Sequence, residues 1–141
     1  MTIKERNQDL RMVAELAEVH LPASLHDESL CKDMCAVIAI TLRRFAADGE
    51  KSANAWDKRA YHSKADELRR EIAWALPAAQ IAEALAYSPK PFTAGDLQRL
   101  RTALPATLSA ELGSRPRFKD LETLRGAATA ARRTLLKRRD L

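Results

Sequence analysis

The stretch that most constrains this chain is Leu30 to Ala46. At its centre nine residues, Met34-Cys35-Ala36-Val37-Ile38-Ala39-Ile40-Thr41-Leu42, carry no charge. Leu30, Met34, Val37, Ile38, Thr41, Leu42 and Phe45 recur at helical spacing, and Cys31, Cys35, Ala39 and Ala46 make the other side small and apolar. A helix that is apolar nearly all round sits inside a bundle. The β-branched residues Val37, Ile38, Ile40 and Thr41 would also suit a buried strand. Length decides for the helix, since the pattern lasts more than four turns before Asp48-Gly49, where a helix can stop. The expectation is an all-α protein, a compact bundle of five to six helices with Pro-marked corners around a central buried helix at about 25–48.

A chain of 141 residues fits one helical domain, 1–141, with possible sub-lobes at 1–87 and 88–141, the second basic. Twenty-six alanines and nineteen leucines suit close-packed helices, and four glycines argue against many tight turns. The charged first fifteen residues do not read as a secretory signal. The apolar run is shorter than a bilayer crossing needs, so a cytoplasmic protein without a membrane partner is expected. Cys31 and Cys35, one turn apart, form no disulfide framework, and with His26 they match no zinc signature. They read as core residues, and no metal or cofactor is expected.

Charge is unevenly placed. Residues 1–114 hold 15 Lys and Arg against 16 Asp and Glu, whereas 115–141 hold nine against three. The formal +5 of the chain therefore comes from its last fifth, which points to nucleic acid or another acidic partner.

Along the chain, a first helix is predicted from Lys4 to His20, ended by Leu21-Pro22 because a residue before proline avoids α geometry. Pro22 or Ser24 would open the next. His20 reads as a satisfied core histidine or a residue favoured at a helix C-terminus. Residues 48–53 read as a polar loop, with Asn54 and Asp57 marking a new start. From Ala55 to Leu76 and on through Ala86, the residues Tyr61, Ala65, Leu68, Ile72, Ala75, Ala79, Ala82 and Ala86 trace a seam, kinked at Pro77. Ser88-Pro89-Lys90-Pro91-Phe92 is a loop, followed by Thr93 as N-cap with Asp96 three residues on. The helix runs to Leu104, restarts at Pro105 and stops at Leu112-Gly113. After a second loop, 114–118, a basic helix is predicted to about Arg139, burying Leu121, Leu124, Ala128, Ala131 and Leu135. Leu-Pro-Ala occurs at 21–23, 76–78 and 104–106, each with a glutamate at the same offset (Glu28, Glu83, Glu111), which suggests a recurring helix–corner–helix unit.

The sequence holds no Gly-rich phosphate loop, no paired histidines on a helix face and no nucleophile elbow. Glu15 and Glu18 would be only half of a Glu-x-x-Glu metal site. A non-enzymatic protein that binds nucleic-acid backbone, RNA or DNA, is therefore expected, as a small subunit of a larger nucleoprotein complex. The candidate contacts are Lys90, Arg99, Arg101, Arg115, Arg117, Lys119, Arg125, Arg132, Arg133, Lys137, Arg138 and Arg139. Phe92 and Phe118 would either stack on bases or staple the helices that follow them. A helix-turn-helix would need residues 105–112 and a helix from Phe118. The alternative is a helical adaptor or inhibitor docking an acidic protein through the same basic face. In size and charge the chain resembles the small subunits of CRISPR ribonucleoprotein effectors and phage-encoded inhibitors, a likeness that carries no residue across.

Overall fold

The structure is a computed structural model that describes residues 2–113 and 116–139, with side chains as far as Arg133. It is an all-α bundle, and among the described residues there is no strand. Helix α1 (Ile3–Glu15) opens with a capping box, in which the Thr2 hydroxyl accepts the Glu5 N–H and Glu5 accepts the Thr2 N–H. The chain does not stop before Pro22. Leu16–His20 widens into a π-helical turn and leads straight into α2 (Leu21–Ala23), with Leu21 itself helical and its N–H on the Leu16 carbonyl. The wider turn gives the proline ring room against the preceding carbonyls, so the expected break is absorbed.

Helix α3 (Glu28–Lys58) is the axis of the molecule, and its cap is Asp27, not Ser24. The Asp27 carboxylate accepts the Leu30 N–H. The predicted stop at Asp48-Gly49 is overturned, as are the loop at 48–53 and the new start at Asn54, because the helix runs through all three. Gly49 is there for packing. A Cβ on it would lie 2.5 Å from the Ile72 side chain, so the glycine lets the next helix cross closely. That close crossing offsets the roughly 1 kcal/mol by which glycine disfavours a helix interior.

What ends α3 is a tight turn at Arg59–Tyr61, inside the stretch read as continuous. Ala60 adopts a left-handed φ of 63°, Ala60 N–H donates to the Asp57 carbonyl, and Tyr61 N–H donates to the Trp56 carbonyl. This is the paired hydrogen-bond pattern that usually places glycine at the left-handed position. Helices α4 (His62–Ile72) and α5 (Ala75–Tyr87) return along α3, with the break at 73–74 just ahead of Pro77. The expected seam is buried at Ala65, Leu68, Ile72, Ala75, Ala79, Ala82 and Ala86, but Tyr61 is half exposed. Alanine on that face lets α5 lie close against α3, fixed toward its C-terminal end by Arg43 on Glu83 and by Lys32 on the Ser88 carbonyl (2.6 Å).

Thr93 and Asp96 form the expected capping box at the start of α6 (Ala94–Ala103), with Phe92 and Leu97 both buried beside it. Pro105 then starts a 3₁₀ turn, Ala106–Glu111, too short and tight for a helix-turn-helix. The last element also departs from expectation. Residues 121–124 are a separate 3₁₀ turn, and α7 begins only at Ala127, after Gly126 at φ 86°. The predicted buried stripe is only half buried at Leu121, Leu124, Ala128 and Ala131, and Leu135 lies outside the described side chains. The core is instead centred on α3, where Leu42, Met34, Ile38, Cys31 and Cys35 are fully buried. Ile40 alone of the central apolar run is half exposed. The three Leu-Pro-Ala segments open α2, fall in the first turn of α5 and lead into the 3₁₀ turn, so they mark proline at helix starts.

Candidate nucleic-acid interface

The C-terminal segment carries the cations, and buried carboxylates from the core helices hold it. Glu15 lies at the end of α1, where the π-helical turn sets His20 five residues on against it, with Nε2 3.0 Å from Oε2. The same carboxylate accepts the backbone N–H groups of Arg117 (2.5 Å) and Phe118 (2.9 Å), and the Phe118 ring meets His20 edge-on. Burial alone would raise the pKa of Glu15. The two N–H donors and His20 outweigh it and hold the carboxyl below its ordinary value. Asp33, buried on α3, accepts the N–H groups of Gly126 (2.9 Å) and Ala128 (3.0 Å) and so caps α7 from another element. Tyr87 donates its hydroxyl to the Ala128 carbonyl at 3.1 Å. Its phenol is pushed up by burial and by Glu83, so it stays a neutral donor.

These anchors sort the candidate contacts. Arg101 is held by Glu18 at 2.5 Å, and Arg125 is forked between Asp27 and Glu122. The Asp27 carboxyl is correspondingly held low by Arg125 and by the Leu30 N–H. Arg99 sits 3.9 Å from Asp96. Arg117 lines a shallow hollow with Lys4, Arg11 and Glu111, against α1. Arg132 lies over the Tyr87 ring, 6.0 Å from its centroid, and Arg133 beside it is exposed. Lys90 is exposed in the loop three residues beyond Tyr87. Lys90, Lys119, Arg132 and Arg133 have no carboxylate partner among the described residues. Arg115 and the side chains of Lys137, Arg138 and Arg139 lie outside the described residues. The twelve cations therefore do not form one patch. Arg101 and Arg125 are structural ties, whereas Arg132 and Arg133 on α7, like Lys90 and Lys119 off it, carry no such tie among the described residues.

Other candidates resolve into structure. Glu15 and Glu18 are both engaged, with the C-terminal segment and with Arg101, rather than turned to a common centre. No group of three metal-ligating side chains occurs among the described residues. Phe92 is buried and has no face for a base, and Phe118 is half buried on His20. Both cysteines are buried thiols whose pKa burial pushes up, Cys31 to about 11, and the Cys31 thiol donates to the Ser24 carbonyl. No helix among the described residues is long and apolar enough to cross a membrane.

No family model, curated protein or solved structure matches the chain.

One cluster escaped the sequence reading. At the α3–α4 turn, Trp56 and Tyr61 meet edge-on at 5.6 Å, and two cations lie over both rings. Arg59 is 5.2 and 5.6 Å from the two centroids, and Lys64 is 4.7 and 5.7 Å away. The residues are spread over a nine-residue window that periodicity assigned to one helix, so nothing marked them as neighbours.

Proposed function

We propose that this protein binds nucleic-acid backbone through α7, in the cytoplasm and as a small subunit of a nucleoprotein assembly. The observation that carries the reading is the composition of that helix. Ala127–Arg139 contains five cations, Arg132, Arg133, Lys137, Arg138 and Arg139, and no acidic residue. Its N-terminal end is fixed on Asp33 and Tyr87, whereas the nearby Arg125 is already neutralised. A helix fixed at its start, with Arg132 and Arg133 exposed and without a carboxylate partner among the described residues, suits contact with phosphates and offers little reading of base edges.

The test is a salt titration of binding to random-sequence single- and double-stranded DNA and RNA, comparing wild type with Arg132→Ala/Arg133→Ala. For duplex DNA, each phosphate that a variant no longer neutralises makes the slope of log K against log salt shallower by about 0.9. The double variant should therefore bind more weakly at low salt, with a slope shallower by up to about two such steps. Equal slopes for the two proteins would remove α7 as the binding surface. A folded wild type that binds no nucleic acid at low salt, but does bind an acidic polypeptide, would favour the adaptor reading.

A further inference from the structure

We propose that the α3–α4 corner is a second contact surface for single-stranded nucleic acid, at which Tyr61 stacks on an unpaired base while Arg59 and Lys64 meet the flanking phosphates. This rests on the nucleic-acid reading above and adds a site outside the basic C-terminal segment. Arg59, Lys64 and Lys58 have no carboxylate partner among the described residues. The neighbouring Asp57 is committed to His62 (2.8 Å) and Arg69 (2.7 Å). Residues 56–64 therefore present two cations over two aromatic rings and a third, Lys58, in the same window, with its one acid already neutralised.

The rings are placed rigidly. Trp56 and Tyr61 are the two positions that the turn brings together, and the Tyr61 N–H closes that turn on the Trp56 carbonyl. Tyr61 is nevertheless 49% exposed. The turn keeps alanine at a left-handed φ, where glycine would relieve the backbone, so its geometry is held by its surroundings and not by an easy conformation. A half-exposed aromatic beside cations that no carboxylate neutralises is the arrangement that sequence-tolerant single-strand binders use, because every base has a π-face to stack and every nucleotide a phosphate. Paired bases are stacked within their own helix and offer no free face. The corner is therefore expected to prefer single strands.

Three variants separate this site from α7: Arg59→Gln/Lys64→Gln, Tyr61→Ala and Arg132→Ala/Arg133→Ala, with Tyr61→Phe as the conservative control. Each is titrated with oligo(dT), with duplex DNA and with inorganic phosphate at matched phosphate concentration. Trp56 emission is followed in a Trp74→Phe background. Oligo(dT) should change Trp56 emission, and inorganic phosphate should not. Tyr61→Ala should weaken single-strand binding about ten-fold or more, with Tyr61→Phe close to wild type and duplex binding little changed. Arg59→Gln/Lys64→Gln should make the single-strand salt slope shallower by up to about 1.4. If the corner variants bind oligo(dT) as wild type does while the α7 variant is weakened, the corner proposal is overturned and the α7 reading stands. A response to inorganic phosphate equal to that of oligo(dT) overturns it too. If no nucleic acid binds wild type at low salt, both fall together. Because Trp56 emission is read in a chain with the corner intact, a corner variant that fails to fold does not rescue the idea.

Discussion

Residues 28–104 and residues 116–133 belong to one bundle but are held in different ways. In the first, α3 buries Met34, Ile38 and Leu42 completely against an alanine face on α5, and apolar area does the work. In the second, no described side chain is fully buried; Phe118, Leu121, Leu124 and Ala128 rest on the core only part-buried, and buried carboxylates add directional ties to backbone N–H groups, Glu15 on 117–118 and Asp33 on Gly126 and Ala128. Apolar packing is non-directional and stabilises the whole. A buried carboxylate on two N–H groups is directional and fixes position at fixed points. The core folds the chain; the anchors aim its basic helix.

Variants that break one mode and spare the other sharpen this contrast. Leu42→Ala should cost about 2–5 kcal/mol and lower the urea midpoint of the whole chain, because it opens a cavity at a fully buried site. Asp33→Ala should cost less, about 1–3 kcal/mol, by leaving the Gly126 and Ala128 N–H groups without their acceptor. Its signature is local, with faster amide exchange over 126–130 while α3 and α5 stay protected. A uniform loss of protection would mean that the C-terminal segment is integral to the core.

Acid should act on the anchors before the core. Glu15 is held below its ordinary value near 4.5, so its contribution is present above that value and is lost as pH falls through the lower folded one. Amide exchange at Arg117 and Phe118, corrected for the intrinsic rate, should therefore rise below about pH 4.5 ahead of exchange in α3. The smallest effect is expected at Ala60→Gly. It should raise stability by up to about 1 kcal/mol, by removing the cost of a left-handed alanine. No gain in the urea midpoint would show that Ala60 is not strained.

The core side of this contrast was legible in the sequence, and the reasons for the misses are physical. The central helix, the alanine seam and the Thr93–Asp96 cap follow from periodicity and local hydrogen bonding, which are written in neighbouring residues. Gly49 misled because a glycine that admits Ile72 looks the same as a glycine that ends a helix. Pro22 misled because a π-helical turn absorbed it. The anchors were invisible for another reason. Glu15 and Phe118 are 103 positions apart, and a carboxylate that binds backbone N–H groups needs no particular residue type in its partner. The charge asymmetry was plain, but which arginines are tied, Arg101 and Arg125, and which are free depends on those long-range partners.

The most direct measurement is amide hydrogen exchange on the full chain, with and without saturating random-sequence single-stranded DNA at low salt. Binding through α7 predicts new protection over 127–139, with 3–15 and 94–103 unchanged. Protection confined to α1 or α6, with 127–139 exchanging as in the free protein, would contradict it.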